Sequence, residues 1–338
     1  MMRAIVCEEI DRLELQDLPQ PERAEGEALV AIRRIGICGT DLHAYKGNQP
    51  FFTYPRVLGH ELAGVIEEIG PNDAGLRPGD QVSIIPYLHC GHCIACRSGK
   101  TNCCVSMQVT GVHVDGGMRE RISVPVSHLL SAEGLTLDET AMVEPLSIGA
   151  HAVRRAGIKP GEHVVVIGAG PIGLGVMAFA KQAGARVIAV DRNLDRLELS
   201  RTWAGADDLV QANEHTVQQV AEITGGDYAT AVFDATGNVN SMNEAIQYVA
   251  HSGQLIFVGL VKADITFHDP EFHKREMSIL GSRNATREDF EQVLSTLRQK
   301  KLSMDGYITH RVEFDELPTA IDQWLLPDSY VVKAIVEL

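Results

Sequence analysis

Hydrophobic positions fall into two textures along the chain. In roughly the first 145 residues, β-rich runs at 28–32, 62–69, 81–85 and 121–126 are separated by Gly, Pro and Asp, with little helical periodicity between them. That pattern predicts a mostly β domain. From residue 162 onward, strand-like runs at 164–167, 187–190, 229–233 and 255–258 alternate with helix-length segments at 172–183, 194–203, 217–223 and 239–250. Such alternation predicts a parallel, doubly wound sheet. A Pro-Gly-acid-x-Val element occurs at 78–82 and again at 160–164, each time as a turn leading into a buried strand. The last segment, 331–338, reads as a strand returning to the first domain. The long uncharged stretch 164–180 holds four glycines and a proline. It falls short of the roughly 20 residues of a membrane span and is read as strand, loop and helix.

At 338 residues the chain has room for two domains with ordinary cores. Its 30 Lys and Arg against 45 Asp and Glu leave a net charge of −15. That is the wrong sign for neutralising phosphates or an anionic membrane, so neither nucleic acid nor a membrane is an expected partner. The apolar run after Arg3 ends at Glu8 and Glu9, too short for an export signal, and a cytoplasmic location is expected. Seven cysteines, crowded mostly between Cys90 and Cys104, are an odd number for a disulfide framework and point to metal ligands in a reducing compartment.

The strand 164–167 runs directly into Gly168-Ala169-Gly170-Pro171-Ile172-Gly173. A G-x-G-x-x-G that follows a strand and opens a helix offers unpaired N–H groups and a helix dipole to a pyrophosphate. Asp191 ends the next strand, 23 positions after Gly168, where a carboxylate accepts hydrogen bonds from a ribose diol. This favours NAD over NADP. The adjacent Arg192 is the residue type that meets a 2′-phosphate, and Arg196, one turn on, suits either ribose.

Two sets of metal-ligating residue types stand out. Cys90, Cys93, Cys96 and Cys104 follow a C-x2-C-x2-C-x7-C spacing, able to surround one tetrahedral zinc with four thiolates and no open position, which is a structural role. Spacing alone does not exclude Cys103, His89 or His92. The second set is dispersed: Cys38 in Gly36-Ile37-Cys38-Gly39-Thr40-Asp41, His60 and Glu61 in Gly59-His60-Glu61, and Glu144 in Val143-Glu144-Pro145. One thiolate, one imidazole and a carboxylate suit a zinc that keeps a position for water or substrate.

Taken in order, these motifs resemble the zinc-containing medium-chain dehydrogenase/reductase family along the whole chain, and in particular its sorbitol and threonine dehydrogenase branch. The resemblance implies an α/β architecture, with a GroES-like, mostly β catalytic domain formed by residues 1–146 and 283–338 and a Rossmann domain, 147–282, inserted between them. It implies an NAD-dependent oxidoreductase acting on a CH–OH group, with one catalytic and one structural zinc. It further implies a homodimer or homotetramer built through Rossmann edge strands that include 256–260. Cys38 and His60 match catalytic zinc ligands. Liver-type alcohol dehydrogenases have Cys where this chain has Glu144. In the sorbitol dehydrogenase branch the residue after the His, here Glu61, ligates zinc, while the Glu-Pro carboxylate holds a water there or exchanges with it, so both acids stay open as ligands. Thr40 and His43 match the relay that carries the alcohol proton to solvent. Gly168, Gly170, Pro171, Ile172, Gly173, Asp191, Arg192 and Arg196 match cofactor contacts, as do Thr236 and the turn Val258-Gly259-Leu260 near the nicotinamide. A non-catalytic binding or structural protein on this fold is the rival class, and the complete ligand set with the Thr40 and His43 pair weighs against it.

Within the branch, the runs Gly47-Asn48-Gln49-Pro50-Phe51-Phe52-Thr53-Tyr54-Pro55-Arg56, 269–274 and 281–286 are similar to those of bacterial hexonate 5-dehydrogenases. Those enzymes oxidise L-gulonate or L-galactonate at C5 to a keto acid. A sugar acid needs a cation for its carboxylate and polar groups for its hydroxyls. The resemblance puts forward Arg283 for the first, and Asn48 and Asn284 for the second. Phe51, Phe52 and Tyr54 suit either an apolar wall over the substrate or core packing. Polyol and threonine dehydrogenases share every metal and cofactor residue, so only the substrate-facing loops separate them.

Overall fold

The β-rich runs of the first texture become strands of an antiparallel framework whose pairing decides which side chains meet. The computed structural model describes residues 1–49, 52–326 and 328–338, so Phe51 lies outside the described residues. Two compact units emerge, Met1–Glu144 with Thr286–Leu338, and Pro145–Ala285.

In the first unit the main sheet path runs Leu129–Ser131, Gln81–Ile84, Glu61–Ile69, Glu27–Ile37, Lys333–Glu337 and Ile308–Glu313, with Arg121–Pro125 also paired to Glu27–Ile37. Met2–Glu9 forms a smaller sheet with Arg12–Leu18 and Arg56–Val57. Ile32, Ile35, Leu58, Leu62, Ile66, Ile84 and Met118 are among the residues that fill the core. Phe52 and Tyr54 meet edge to face, with ring centroids 4.9 Å apart, and pack on that core. Register fixes the site: Gly36 lies opposite Glu61 across one ladder, and Ile37 lies opposite Ala334 across the other. Cys38, Glu61 and Lys333, far apart in sequence, are therefore delivered to one place.

The second unit is a six-stranded, wholly parallel sheet. Its spatial order is Asp208–Gln211, Arg186–Asp191, His163–Ile167, Ala229–Asp234, Val249–Phe257 and Ser278–Gly281. In chain order this is the 3-2-1-4-5-6 arrangement of the doubly wound dinucleotide-binding fold. Two expected features differ. The helix expected over 239–250 stops at Glu244, tightens into a 3-10 turn Ala245–Tyr248, and yields Val249 to the next strand. Val249 is β-branched and fully buried opposite Ala229, an environment a sheet serves better than a helix end. Residues 256 and 257, expected at a sheet edge, lie in an interior strand, and Ser278–Gly281 takes the edge. Among the described residues no helix is long and apolar enough to cross a membrane.

Candidate active site

Cys38 sits at the N-cap of the short helix Gly39–Tyr45, directly after the strand Glu27–Ile37. His60 immediately precedes, and Glu61 opens, the neighbouring strand Glu61–Ile69. One ligand atom from each of Cys38, His60 and Glu61 falls within 4.8 Å of the others. Asp41, which closes the Cys38 motif but is assigned no role from sequence, ties the two loops together. Its fully buried carboxylate accepts from the Cys38 N–H at 2.9 Å and the Gly59 N–H at 3.2 Å. Its Oδ1 also stands 3.7 Å from His60 Nδ1. The available signal was position: Asp41 is the N3 residue of a capping box whose cap is the thiol.

Behind Glu61 stands Lys333, whose ammonium donates to both Glu61 oxygens at 2.6 and 2.8 Å and to the Ile37 carbonyl at 3.1 Å. Both side chains are essentially inaccessible to solvent. Burial opposes the charged lysine, yet Glu61, Tyr307 and Cys38 hold its pKa above the ordinary value. Gly36 makes room for this pair, because a Cβ there would fall 2.1 Å from Glu61 Oε2. Glu144 lies outside the close trio and accepts a hydrogen bond from the buried Tyr87 hydroxyl. Burial first, then the nearby Glu61, pushes the Glu144 carboxyl up to about 7.

The donor chemistry fits a divalent cation. Three buried carboxylates, Asp41, Glu61 and Glu144, and the Cys38 thiol gather around His60 and Glu61, against one buried lysine, Lys333, among the described residues, so negative groups are in excess. His60 Nδ1 is buried with no hydrogen-bond partner. Against the cost of its burial, Asp41, Cys38 and Glu144 hold the imidazole pKa well above its usual range, which shows how strongly the pocket attracts positive charge. Thr40 is half-buried and His43 exposed, three positions apart on the same helix.

Cys90, Cys93, Cys96 and Cys104 converge so that their four sulfurs lie within 4.8 Å of one another. Cys103, His89 and His92 stand outside this group and are exposed. Cys93 caps the single turn Ile94–Arg97, and its sulfur accepts from the Cys96 N–H at 3.5 Å. Cys104 accepts from the N–H groups of Cys90 and Ser106 at 3.3 and 3.4 Å. Such donors favour thiolates, and they lower the pKa of Cys93 to about 6 and that of Cys104 likewise below its usual range. Four convergent sulfurs with this support fit a closed tetrahedral zinc site. Cys93→Ser will therefore lose one zinc per chain by elemental analysis and lower the thermal midpoint by roughly 10 °C, because metal binding at such a site is folding energy.

In the second unit His163–Ile167 leads into Gly168, at φ +95°, and Gly170 caps the helix Pro171–Gln182. Gly173 is demanded by packing, since a Cβ there would stand 1.7 Å from the Gly168 carbonyl oxygen. Gly170 is different: its φ is −76° and an added Cβ would meet nothing within 4 Å. A glycine that neither conformation nor packing requires, at a helix N-terminus, fits the close approach of a phosphate. Asp191 ends its strand beside this loop and accepts from the N–H groups of Ala169 at 2.6 Å and Asn193 at 2.9 Å. Arg192 is exposed and Arg196 half-buried. Thr236 Oγ1 donates to Asp234 Oδ1 at 2.7 Å. Val258 and Gly259 donate their N–H groups to the Asp234 carbonyl at 2.9 and 3.0 Å, and Leu260 projects into solvent. Asn48 and Arg283 are exposed, whereas Asn284, at φ +52°, has a buried amide nitrogen without a hydrogen-bond partner.

Residues 24–134 match the alcohol dehydrogenase GroES-like domain, and residues 171–299 match the zinc-binding dehydrogenase domain. The chain is 44% identical over 335 residues to L-galactonate-5-dehydrogenase of Escherichia coli K12, covering 99% of this chain and 98% of that one. It is 32% identical over 308 residues to sorbitol dehydrogenase of Halalkalibacterium halodurans, covering 89% of each. The structure superposes on that of the short chain alcohol dehydrogenase RspB of Escherichia coli CFT073, complexed with NADH, with a TM-score of 0.93 and 29% identity over 100% of this chain and 99% of that one. The chain belongs to the zinc-type alcohol dehydrogenase family, with a GroES-like and a Rossmann domain. It is an oxidoreductase that acts on the CH–OH group of a small molecule, and the family's cofactors are zinc and a nicotinamide dinucleotide.

Proposed function

We propose that the protein oxidises the C5 hydroxyl of L-galactonate or L-gulonate with NAD, giving D-tagaturonate or D-fructuronate, as a step in hexonate breakdown. The carrying observation is the 44% identity to an L-galactonate-5-dehydrogenase over 99% of the chain. Cys38 and His60, with Glu61 or Glu144, would hold the catalytic zinc, and Cys90, Cys93, Cys96 and Cys104 the structural one. Zinc, when bound, supplies a Lewis acid that acidifies a hydroxyl beside it. The chain's own residues would handle the proton and align the reacting groups. Thr40 and His43 would pass the hydroxyl proton to solvent, and a bound nicotinamide would supply the hydride acceptor, so that the C5 alcohol becomes a ketone with release of NADH and one proton. The loop Gly168 to Gly173 seats the pyrophosphate, and Asp191 the ribose diol, at the expense of its present bond to Ala169. Arg192, Arg196, Thr236 and the Val258 to Leu260 turn complete the cofactor contacts, and the chain assembles as a homodimer or homotetramer. Arg283 pairs with the substrate carboxylate, while Asn48 and Asn284 meet hydroxyls.

Asp191→Ala is expected to raise KM for NAD roughly tenfold or more while leaving KM for the alcohol within about twofold, in initial rates followed at constant alcohol. The substrate assignment is tested by comparing kcat/KM for each hexonate with that for its hexitol. A hexonate preference of roughly a hundredfold is expected from a charge-assisted carboxylate contact. Equal or reversed values would favour the polyol reading, to which the sorbitol dehydrogenase similarity points.

A further inference from the structure

Tyr87 belongs to no motif, yet it is buried and tightly held beside the carboxylates. It is 5% exposed and lies in the two-residue strand Tyr87–Leu88, paired with Gln108–Val109. Its ring stands edge-on to Phe290, centroids 6.1 Å apart. Its carbonyl accepts from His128 Nε2 at 3.2 Å, and Ser127 Oγ lies 3.1 Å from the other ring nitrogen. Backbone and ring are thus held from three sides, and the hydroxyl is aimed at Glu144 Oε1, to which it donates. Glu144 is 4% exposed and close enough to His60 for the two charges to influence each other. Glu61 already has a dedicated partner in Lys333, so each of the two candidate carboxylates is gripped by a different residue.

We propose that Tyr87 is a positioning residue for Glu144: by donating to Oε1 it fixes the orientation of that carboxylate, disfavours its binding a metal through both oxygens, and holds it as a hydrogen-bond acceptor beside the Cys38, His60 and Glu61 centre. This rests on the reading of Cys38, His60 and Glu61 as the metal centre. Removing the phenol hydroxyl releases Oε1, and the ligand field at the centre changes. No bond to the substrate is made by Tyr87, so its effect passes entirely through Glu144.

The test uses the full chain loaded with cobalt(II). Bands that disappear in Cys38→Ser belong to the catalytic centre, and the Cys90 to Cys104 site supplies the remainder. In Tyr87→Phe, which keeps the ring against Phe290, the catalytic bands shift, and in the zinc form kcat falls roughly 10- to 100-fold with KM for NAD unchanged. In a Glu144→Ala background the same Tyr87→Phe change moves neither the bands nor kcat further, because the acceptor through which it acts is already gone. Unchanged cobalt bands in Tyr87→Phe, or an equal shift in both backgrounds, overturn the proposal. Absence of any Cys38-dependent band overturns it together with the metal-centre reading, which separates the two failures.

Discussion

Cys38→Ser will stop alcohol oxidation while leaving the chain folded. Cys38 is the sole sulfur among the residues that meet at His60 and Glu61, and a serine hydroxyl at that position stays protonated and binds zinc far more weakly. The expected result is a loss of one zinc per chain and a fall in kcat of roughly a thousandfold or more, since Lewis-acid assistance amounts to several kcal/mol and each 1.4 kcal/mol is about tenfold. The fold is spared for a specific reason. Cys38 occupies the N-cap of Gly39–Tyr45, serine is a preferred cap residue, and the Cys38 N–H to Asp41 bond uses the backbone alone. Circular dichroism and the thermal midpoint should therefore match the parent chain within a few degrees. A folded, zinc-depleted Cys38→Ser protein with parental kcat would separate Cys38 from the chemistry.

Lys333→Met will act in the opposite sense, on the fold before the chemistry. The ammonium is 2% exposed and is the partner of a Glu61 carboxylate that is fully buried. Removing it leaves an uncompensated buried charge, a change that typically costs about 3–5 kcal/mol. For a chain of 338 residues that corresponds to a drop of about 4–7 °C in thermal midpoint. The control is built into the pair. Lys333→Met combined with Glu61→Gln removes both charges and should recover a large part of the lost midpoint, because the cost lies in the orphaned carboxylate rather than in the missing lysine. Scanning calorimetry of the parent, the single variant and the double variant checks this, and a double variant no more stable than the single one would show that packing, not charge, dominates.

The contrast between Cys38 and Lys333 marks what the sequence makes legible. The cysteine ladder and the glycine loop are readable because each chemistry needs particular residue types at short, fixed spacings that survive folding unchanged, whereas the dispersed Cys38 and His60 are readable only through the family resemblance of the motifs around them. The Lys333 partner of Glu61 lies 272 residues away, and only the ladder that sets Ala334 opposite Ile37 brings it there. Tyr87 and Asp41 were missed for a related reason: a buried tyrosine or aspartate is defined by what it touches, and neither composition nor periodicity carries that information. Gly170 and Gly173 look alike in the motif, yet packing forces one and leaves the other to its ligand. The parallel sheet was legible from alternating texture, while the end of Val239–Glu244 was not, because Val249 is apolar in either reading and tertiary pairing with Ala229 decided it.

The most direct test of the account follows zinc content and NADH formation at once. Zinc is removed by dialysis against a chelator and returned stepwise, and at each step metal per chain is measured alongside initial rates with NAD and L-galactonate or L-gulonate. The account predicts two zincs per chain at full occupancy, with turnover tracking the zinc that Cys38→Ser cannot bind. Full turnover in protein whose Cys38 centre is empty would contradict it.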